Sequence, residues 1–178
     1  MTRTRTLAMT ALLAALTAVG GFLKIPTPLS AVTLQFLFTI MAGVLLGAKW
    51  GAASQGVYVA LGLIGLPIFT AGGGIGYLLN PTCGFLFGMI AAAAVIGLIA
   101  QAGTLTAGRI FLAGLAGLAV LYLVGLPYMY TVVNLYLGKG MSAWAVFRAG
   151  CLIFLPGDLL KLAVAAAVCP ALSRRLAR

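Results

Sequence analysis

Long apolar stretches, separated by short polar or glycine- and proline-rich connections, make up most of the chain. An α-helix needs about 20 mainly apolar residues to cross the hydrocarbon core of a bilayer. The pattern predicts six such helices, at about residues 7–23, 33–47, 52–68, 83–101, 108–132 and 149–172. We therefore expect an all-α, polytopic integral membrane protein in which residues 1–178 form a single transmembrane domain.

Composition supports the membrane assignment and excludes other classes of protein. Of the 178 residues, 63% are hydrophobic and only 7% are charged, whereas a soluble domain has about 25% charged residues. So small a charged fraction cannot cover the surface of a soluble enzyme or keep a disordered chain in solution. The apolar runs are also continuous, unlike the alternating strands of an outer-membrane barrel.

The net charge of +10 is better explained by membrane topology than by nucleic-acid binding, because cytoplasmic segments of membrane proteins carry an excess of Lys and Arg. With the N-terminus inside, seven basic residues are cytoplasmic: Arg3, Arg5, Lys49, Arg109, Arg174, Arg175 and Arg178. Three are external: Lys24, Lys139 and Arg148. Both termini are therefore predicted to be cytoplasmic, in the bacterial inner membrane. The long connections 24–32, 69–81 and 133–148 are predicted to lie outside.

The residue inventory argues against catalysis and against a metal site. The chain has no histidine and a single acid, which excludes a Ser-His-Asp triad and a pair of catalytic carboxylates. The three cysteines, Cys83, Cys151 and Cys169, lie in apolar contexts without a CxxC pattern, so no zinc site is expected. The glycines of residues 72–76 match no nucleotide-binding fingerprint. We expect no enzyme activity and no cofactor.

Two charged residues lie deep in the last predicted helix. Asp158, the only acid, is about 14 Å from a helix start at residue 149, where an unpaired charge costs at least about 2.5 kcal/mol. Lys161 follows three residues later and shares its helix face. The two residues either form a neutralising pair that only fixes helix packing or bind a ligand inside the bundle. We favour ligand binding because intramembrane ionisable residues are usually functional.

Polar residues near the predicted external helix ends are further candidates for ligand binding. Gln35 lies at the start of the second helix, and Asn80 ends the external glycine-rich connection. Each side chain offers hydrogen-bond donors and an acceptor, although Asn80 could equally form a turn before Pro81. Tyr77 and other tyrosines either line a pocket that opens outward or belong to the interfacial aromatic belt, and we favour the belt for most of them.

Small residues recur at four-residue spacing in the first helix, as Ala11 with Ala15 and as Ala14 with Ala18. Such positions allow another helix backbone to approach closely. That helix belongs either to this bundle or to a separate membrane subunit, and the spacing alone leaves both alternatives open.

Four blocks of the sequence resemble the BioY family. They are IPTPLSAVTLQ at residues 25–35, LGLIGLPIF at 61–69, GGGIGYLLNPTCGF at 72–85 and PGDLLK at 156–161. The blocks keep the family's order and spacing, and the similarity covers nearly the whole chain. Members of this family are the biotin-specific capture subunits, or S components, of energy-coupling-factor (ECF) vitamin transporters.

The resemblance implies an S-component fold of six helices with an external biotin pocket. By the family pattern Asn80, Asp158 and Lys161 are ligand contacts, and Gln35 is a weaker candidate. The resemblance also implies a membrane coupling subunit, docked on the small residues of the first helix, and two cytoplasmic ATPases that some members are thought to lack. Transport would proceed by capture of biotin outside, toppling of the subunit in the membrane and release into the cytoplasm.

Two alternatives remain. The protein could be an S component for a different small vitamin, or an integral membrane enzyme that uses Asp158 and Lys161 for acid–base chemistry. The absence of histidine and of a second acid argues against the enzyme. The set of Asn80, Asp158 and Lys161 favours biotin over another vitamin.

Overall fold

A computed structural model describes residues 2–26 and 31–176, most of which are helical. The helices are α1 (Arg3–Phe22), α2 (Gln35–Leu63), α3 (Cys83–Gln101), α4 (Ala107–Thr131), α5 (Ala143–Phe147) and α6 (Leu155–Leu176). Two π-helical turns, Val132–Tyr136 and Arg148–Leu152, follow α4 and α5, and a 3-10 helix, Ile75–Leu79, precedes α3. Arg178, predicted to be cytoplasmic, lies outside the described residues.

Five helical segments in the described part of the chain are long and apolar enough to cross a membrane. They are Arg3–Phe22, Gln35–Leu63, Cys83–Gln101, Ala107–Tyr136 and Ala143–Leu176. Within each segment the backbone N–H and C=O groups can satisfy one another, which a hydrocarbon environment requires. The protein is therefore an all-α, multi-pass membrane protein. The six predicted helices appear as five continuous helical segments in the described residues, a difference of one.

The count differs because the predicted second and third helices are joined as α2, which reverses direction at Gly47. Gly47 has φ of 78° and ψ of −178°, a conformation that is open essentially only to glycine. The Thr39 Oγ1 atom lies 3.2 Å from Gln55 Oε1, whereas a straight helix would separate these residues by about 24 Å. Gln35, before the bend, likewise forms a hydrogen bond with Tyr58, after it. The parts of α2 on either side of Gly47 therefore lie side by side as two antiparallel arms.

Three regions differ from the predicted loops and helix ends. The last helix, predicted at 149–172, is α6 at Leu155–Leu176, so Asp158 lies in its first turn rather than deep within it. The second arm of α2 ends at Leu63 rather than at residue 68. Gly65 has a φ of 117°, which does not continue a helix, and Pro67 disfavours a helical conformation in the residue before it. In the predicted loop 24–32, two short antiparallel strands form instead, β1 (Lys24–Pro26) and β2 (Ala31–Thr33). The proline at residue 28 lies outside the described residues.

The helices pack around α2 and α3. Helix α2 contacts α1 and α3, α3 contacts α4, and α6 packs against both α4 and α2. The largest fully buried side chains include Tyr58, Ile40, Ile96 and Leu162, which join the elements into one apolar core.

The bundle has two chemically different ends. One end contains the 3-10 helix and the strand pair that follows α1, and there Tyr128 of α4 donates a hydrogen bond to the carbonyl of Leu78. We call it the cavity end, after the cavity described below. At the opposite end, which we call the far end, the bend at Gly47 packs against Gln101, the last residue of α3. The polar side chains that could bind a ligand are concentrated at the cavity end.

Candidate ligand-binding cavity

A cavity of about 90 Å³ lies at the cavity end, between the strand pair, the 3-10 helix, α2, α3, α4 and α6. A single buried water needs roughly 10–15 Å³ of such space, so the cavity has room for several waters or for a small ligand. Most of its wall is apolar or aromatic, formed by Phe36, Phe85, Leu86, Met89, Leu121 and Phe154. Eight of the sixteen lining residues carry a polar side-chain group, and these groups fall into three sets.

The first polar group is a buried cluster that joins α6 to α4. The Lys161 Nζ atom lies 2.6 Å from Asp158 Oδ1, and the Tyr122 hydroxyl donates to Asp158 Oδ2 at 2.6 Å. Tyr122 is held in turn by an edge-on contact with Phe85, with ring centroids 6.4 Å apart. We call Asp158, Lys161 and Tyr122 the acid–lysine cluster.

The acid–lysine cluster keeps hydrogen-bonding capacity for a ligand. Asp158 and Lys161 are 5% and 7% exposed, so neither charge could remain there without its partner except at a large cost. A carboxylate oxygen can accept two hydrogen bonds and a lysine ammonium can donate three. Each oxygen of Asp158 accepts one bond within the described residues, and Lys161 donates one. The cluster can therefore accept from one group of a ligand and donate to another.

The second polar group surrounds Gln35, the first residue of α2. Its Nε2 atom donates to the Tyr58 hydroxyl at 2.6 Å, and that hydroxyl donates to the carbonyl of Ile68 at 3.2 Å. Thr33, the last residue of β2, donates from its hydroxyl to Gln35 Oε1 at 3.0 Å. Gln35 and Thr33 both line the cavity, and the remaining N–H of the Gln35 amide is the donor that a ligand could meet.

The third polar group is a chain of hydrogen bonds along the edge of the cavity. The Tyr77 hydroxyl lies 2.9 Å from Thr70 Oγ1 and 3.1 Å from Thr82 Oγ1. Because the Thr82 hydroxyl donates to Asn80 Oδ1 at 2.8 Å, Tyr77 must donate to Thr82 and accept from Thr70. Lys24 donates from its ammonium group to the carbonyl of Thr70. We call these five residues the polar rim.

The structure brings four of the five predicted ligand-binding residues to one cavity and places the fifth beside it. Gln35, Tyr77, Asp158 and Lys161 line the cavity, whereas Asn80 lines an adjacent open groove. The Asn80 Oδ1 atom accepts from the backbone N–H of residue 82 at 2.9 Å as well as from its hydroxyl. Asn80 thus shapes the turn before α3, and it acts on the cavity through the polar rim.

The two alanine pairs of α1 face different surroundings. Ala11 and Ala15 are exposed, whereas Ala14 is buried in the main core and Ala18 packs against that core. The second pair is therefore used within this bundle. The first pair is free to receive another helix.

Sequence reasoning missed Tyr122, Thr70, Thr82 and Phe154, all of which line the cavity. Tyr122 carried a usable signal, because it is the only hydroxyl in the apolar stretch 112–126 and a hydroxyl at membrane depth needs a partner. Phe154 and the threonines carry no such signal. In the described residues, no group of three His, Cys, Asp or Glu side chains is placed to hold a metal ion.

Comparisons with known proteins agree with this arrangement. The chain matches the BioY family over residues 1–178. A probable biotin transporter BioY of Lysinibacillus sphaericus is 45% identical over 166 residues, which cover 93% of this chain and 84% of that protein. The biotin transporter BioY of Rhizobium etli is 38% identical over 178 residues, which cover 92% of this chain and 90% of that protein.

A solved structure is similar over almost the whole chain. It is a crystal structure at 2.1 Å of the S-component for biotin from an ECF-type ABC transporter, and it matches with a TM-score of 0.71 at 28% identity, covering 98% of this chain and 95% of that one. Sequence and fold therefore point to the same group of proteins, and this chain belongs to the BioY family.

Proposed function

We propose that this protein is a biotin transporter subunit, the S component of an ECF-type transporter, and that it captures biotin in the cavity. Its role is transport rather than catalysis. The observation that carries the proposal is the acid–lysine cluster, which offers both an acceptor and donors beside an apolar and aromatic wall. The BioY proteins named above support biotin over another vitamin as the ligand.

The polar groups of biotin match the acid–lysine cluster. The ureido ring presents N–H donors next to a carbonyl acceptor. Asp158 can accept from an N–H, and Lys161 can donate to the carbonyl, whereas the single hydrogen of the Tyr122 hydroxyl is already bound to Asp158. Burial strengthens these bonds because water does not compete for the same groups. The bicyclic ring system and the valerate chain are apolar, and they suit a wall that includes Phe36, Phe85 and Phe154.

We further propose that the cavity end faces the outside of a bacterial cell membrane and that both termini are cytoplasmic. The basic residues support this orientation. Arg3, Arg5, Lys49, Arg109, Arg174 and Arg175 belong to the helix termini and the bend at the far end. Lys24, Lys139 and Arg148 belong to the connections at the cavity end. An excess of Lys and Arg on one side is typical of the cytoplasmic side.

The proposed partners are a membrane coupling subunit and two cytoplasmic ATPases. We assign the docking face to Ala11 and Ala15, because these small side chains are exposed on α1 while Ala14 and Ala18 pack inside the bundle. An alanine at every fourth position lets a second helix approach closely in the membrane.

Equilibrium binding of labelled biotin to the purified chain tests the proposed ligand. We expect a dissociation constant at or below the micromolar range and no competition by thiamine or riboflavin. Asp158→Asn should weaken binding about tenfold or more, because a charge-assisted hydrogen bond becomes a neutral one. Unaltered affinity in this variant would exclude Asp158 as a contact. Tight binding of a different vitamin with no binding of biotin would replace the proposal by an S component of other specificity.

A further inference from the structure

The position of Lys24 points to a role in ligand recognition. We infer that Lys24 binds the carboxylate of the ligand at the mouth of the cavity and so favours an acid over its neutral analogues. This inference rests on the proposed function, since it takes biotin, a monocarboxylate, as the ligand. It adds a site for the end of the ligand that the acid–lysine cluster does not hold.

Two contacts place the ammonium group of Lys24 at the mouth of the cavity. In the strand pair Lys24 lies directly opposite Thr33, and side chains of directly paired residues project from the same face of a sheet. Thr33 lines the cavity and bonds Gln35. The ammonium group of Lys24 also donates to the carbonyl of Thr70, a second residue of the cavity lining. Lys24 itself is exposed, so its charge lies where the cavity meets solvent.

The charges of the chain leave Lys24 available for an anion. Asp158 is the only acidic side chain in the sequence, and its carboxylate is bound by Lys161 and Tyr122 inside the cavity. Lys24 donates to a neutral carbonyl, and two of its three ammonium hydrogens remain for other acceptors. A carboxylate that arrives with the ligand is therefore the natural acceptor for this ammonium group.

The same contacts also suggest a purely structural role, which must be tested against the inference. The bond from Lys24 to the Thr70 carbonyl ties the strand pair to the segment that follows α2. If that tie were the whole role of Lys24, its loss would weaken the binding of every ligand of the cavity equally. An electrostatic role instead weakens only the binding of ligands that carry the negative charge. The two roles differ in their dependence on the ligand.

The test combines a change in the protein with a change in the ligand. Biotin and biotinamide, in which a neutral amide replaces the carboxylate, are titrated into the intact chain and into Lys24→Gln by calorimetry. We expect the native chain to prefer biotin by up to about fivefold, the upper end of the range for an exposed ion pair. We expect Lys24→Gln to lose that preference and to bind biotinamide as the native chain does. Added salt should reduce the preference of the native chain.

Two control variants separate charge from structure and position. Lys24→Arg retains a cation and should keep the preference. Lys139→Gln removes a lysine from another connection at the cavity end, one whose residues do not line the cavity, and should also keep it. Equal weakening of both ligands in Lys24→Gln, or an unchanged preference, would overturn the inference and leave biotin binding intact. Failure of the native chain to bind biotin would instead overturn the proposed function.

Discussion

The acid–lysine cluster allows the structural and the functional roles of a buried charge to be separated by mutation. Lys161→Met replaces a lysine by an apolar side chain of similar length. It leaves the Asp158 carboxylate with one partner, the Tyr122 hydroxyl. The double variant Asp158→Asn with Lys161→Met removes both charges and leaves a neutral amide beside Tyr122. We expect the single variant to be much less stable than the double variant.

The size of the effect follows from burial and geometry. Asp158 is 5% exposed and its ion pair has a separation of 2.6 Å. Removal of one partner of such a pair costs about 3–5 kcal/mol, whereas replacement of both is often close to neutral. Since Asp158 keeps the Tyr122 bond and faces a cavity, we expect about 3 kcal/mol for Lys161→Met. For a chain of this length that lowers the midpoint of thermal unfolding by about 6–12 °C.

Thermal unfolding of the purified proteins, followed by tryptophan fluorescence at a fixed detergent concentration, measures this difference. Labelled-biotin binding is measured on the same samples below their unfolding range. The double variant should approach the native midpoint and yet bind biotin poorly, because the ligand contacts are gone. If Lys161→Met is as stable as the native chain, the pair is not desolvated and the reasoning fails. If the double variant binds normally, the pair is structural only.

Two further predictions concern the docking face and the bend in α2. Ala11→Leu combined with Ala15→Leu should abolish uptake in cells that contain the coupling subunit and the ATPases, with biotin binding retained. Ala119→Leu, at an exposed alanine of α4, is the control, and normal uptake by the double variant would remove the docking assignment. Gly47→Ala should destabilise the chain by about 1–3 kcal/mol, because alanine is strained at this φ and ψ. Gly56→Ala, where an added methyl meets nothing within 4 Å, should not lower the unfolding midpoint.

The apolar runs and the charged pair were predictable because the membrane restricts their alternatives. A run of apolar residues in a bilayer can satisfy its backbone only as a helix, so the helical class follows from hydropathy. A lone acid at membrane depth must find a donor, and the lysine one turn away was the only cation near it in sequence. The burial of Asp158 and Lys161 confirms that they point into the bundle.

The remaining features depend on contacts between residues that are distant in sequence. Tyr122 reaches Asp158 across 36 positions, and no local pattern connects them. The sequence did predict a turn between the second and third helices, at about residues 47–51, but not that Gly47 alone would make it within one continuous helical segment. The sequence left open whether Asn80 binds a ligand or forms a turn. In the structure its side-chain oxygen accepts hydrogen bonds from the backbone N–H and the hydroxyl of Thr82, and so it forms the turn. Local chemistry thus predicted which residues line the cavity better than it predicted their hydrogen-bond partners.

The distribution of charge in and around the cavity bears on how a site within a membrane protein can hold an acidic ligand. The empty cavity already contains a neutral pair, Asp158 with Lys161, so it adds no net charge within the bundle. A monocarboxylate brings one negative charge, which the inference above places beside Lys24, where the cavity meets solvent. Counted with Lys24, the empty site has one positive charge, and the same site loaded with a monocarboxylate has no net charge. In the proposed site the cluster therefore provides hydrogen bonds for the polar ring, and Lys24 provides the positive charge, because the charge of Lys161 is already paired with Asp158.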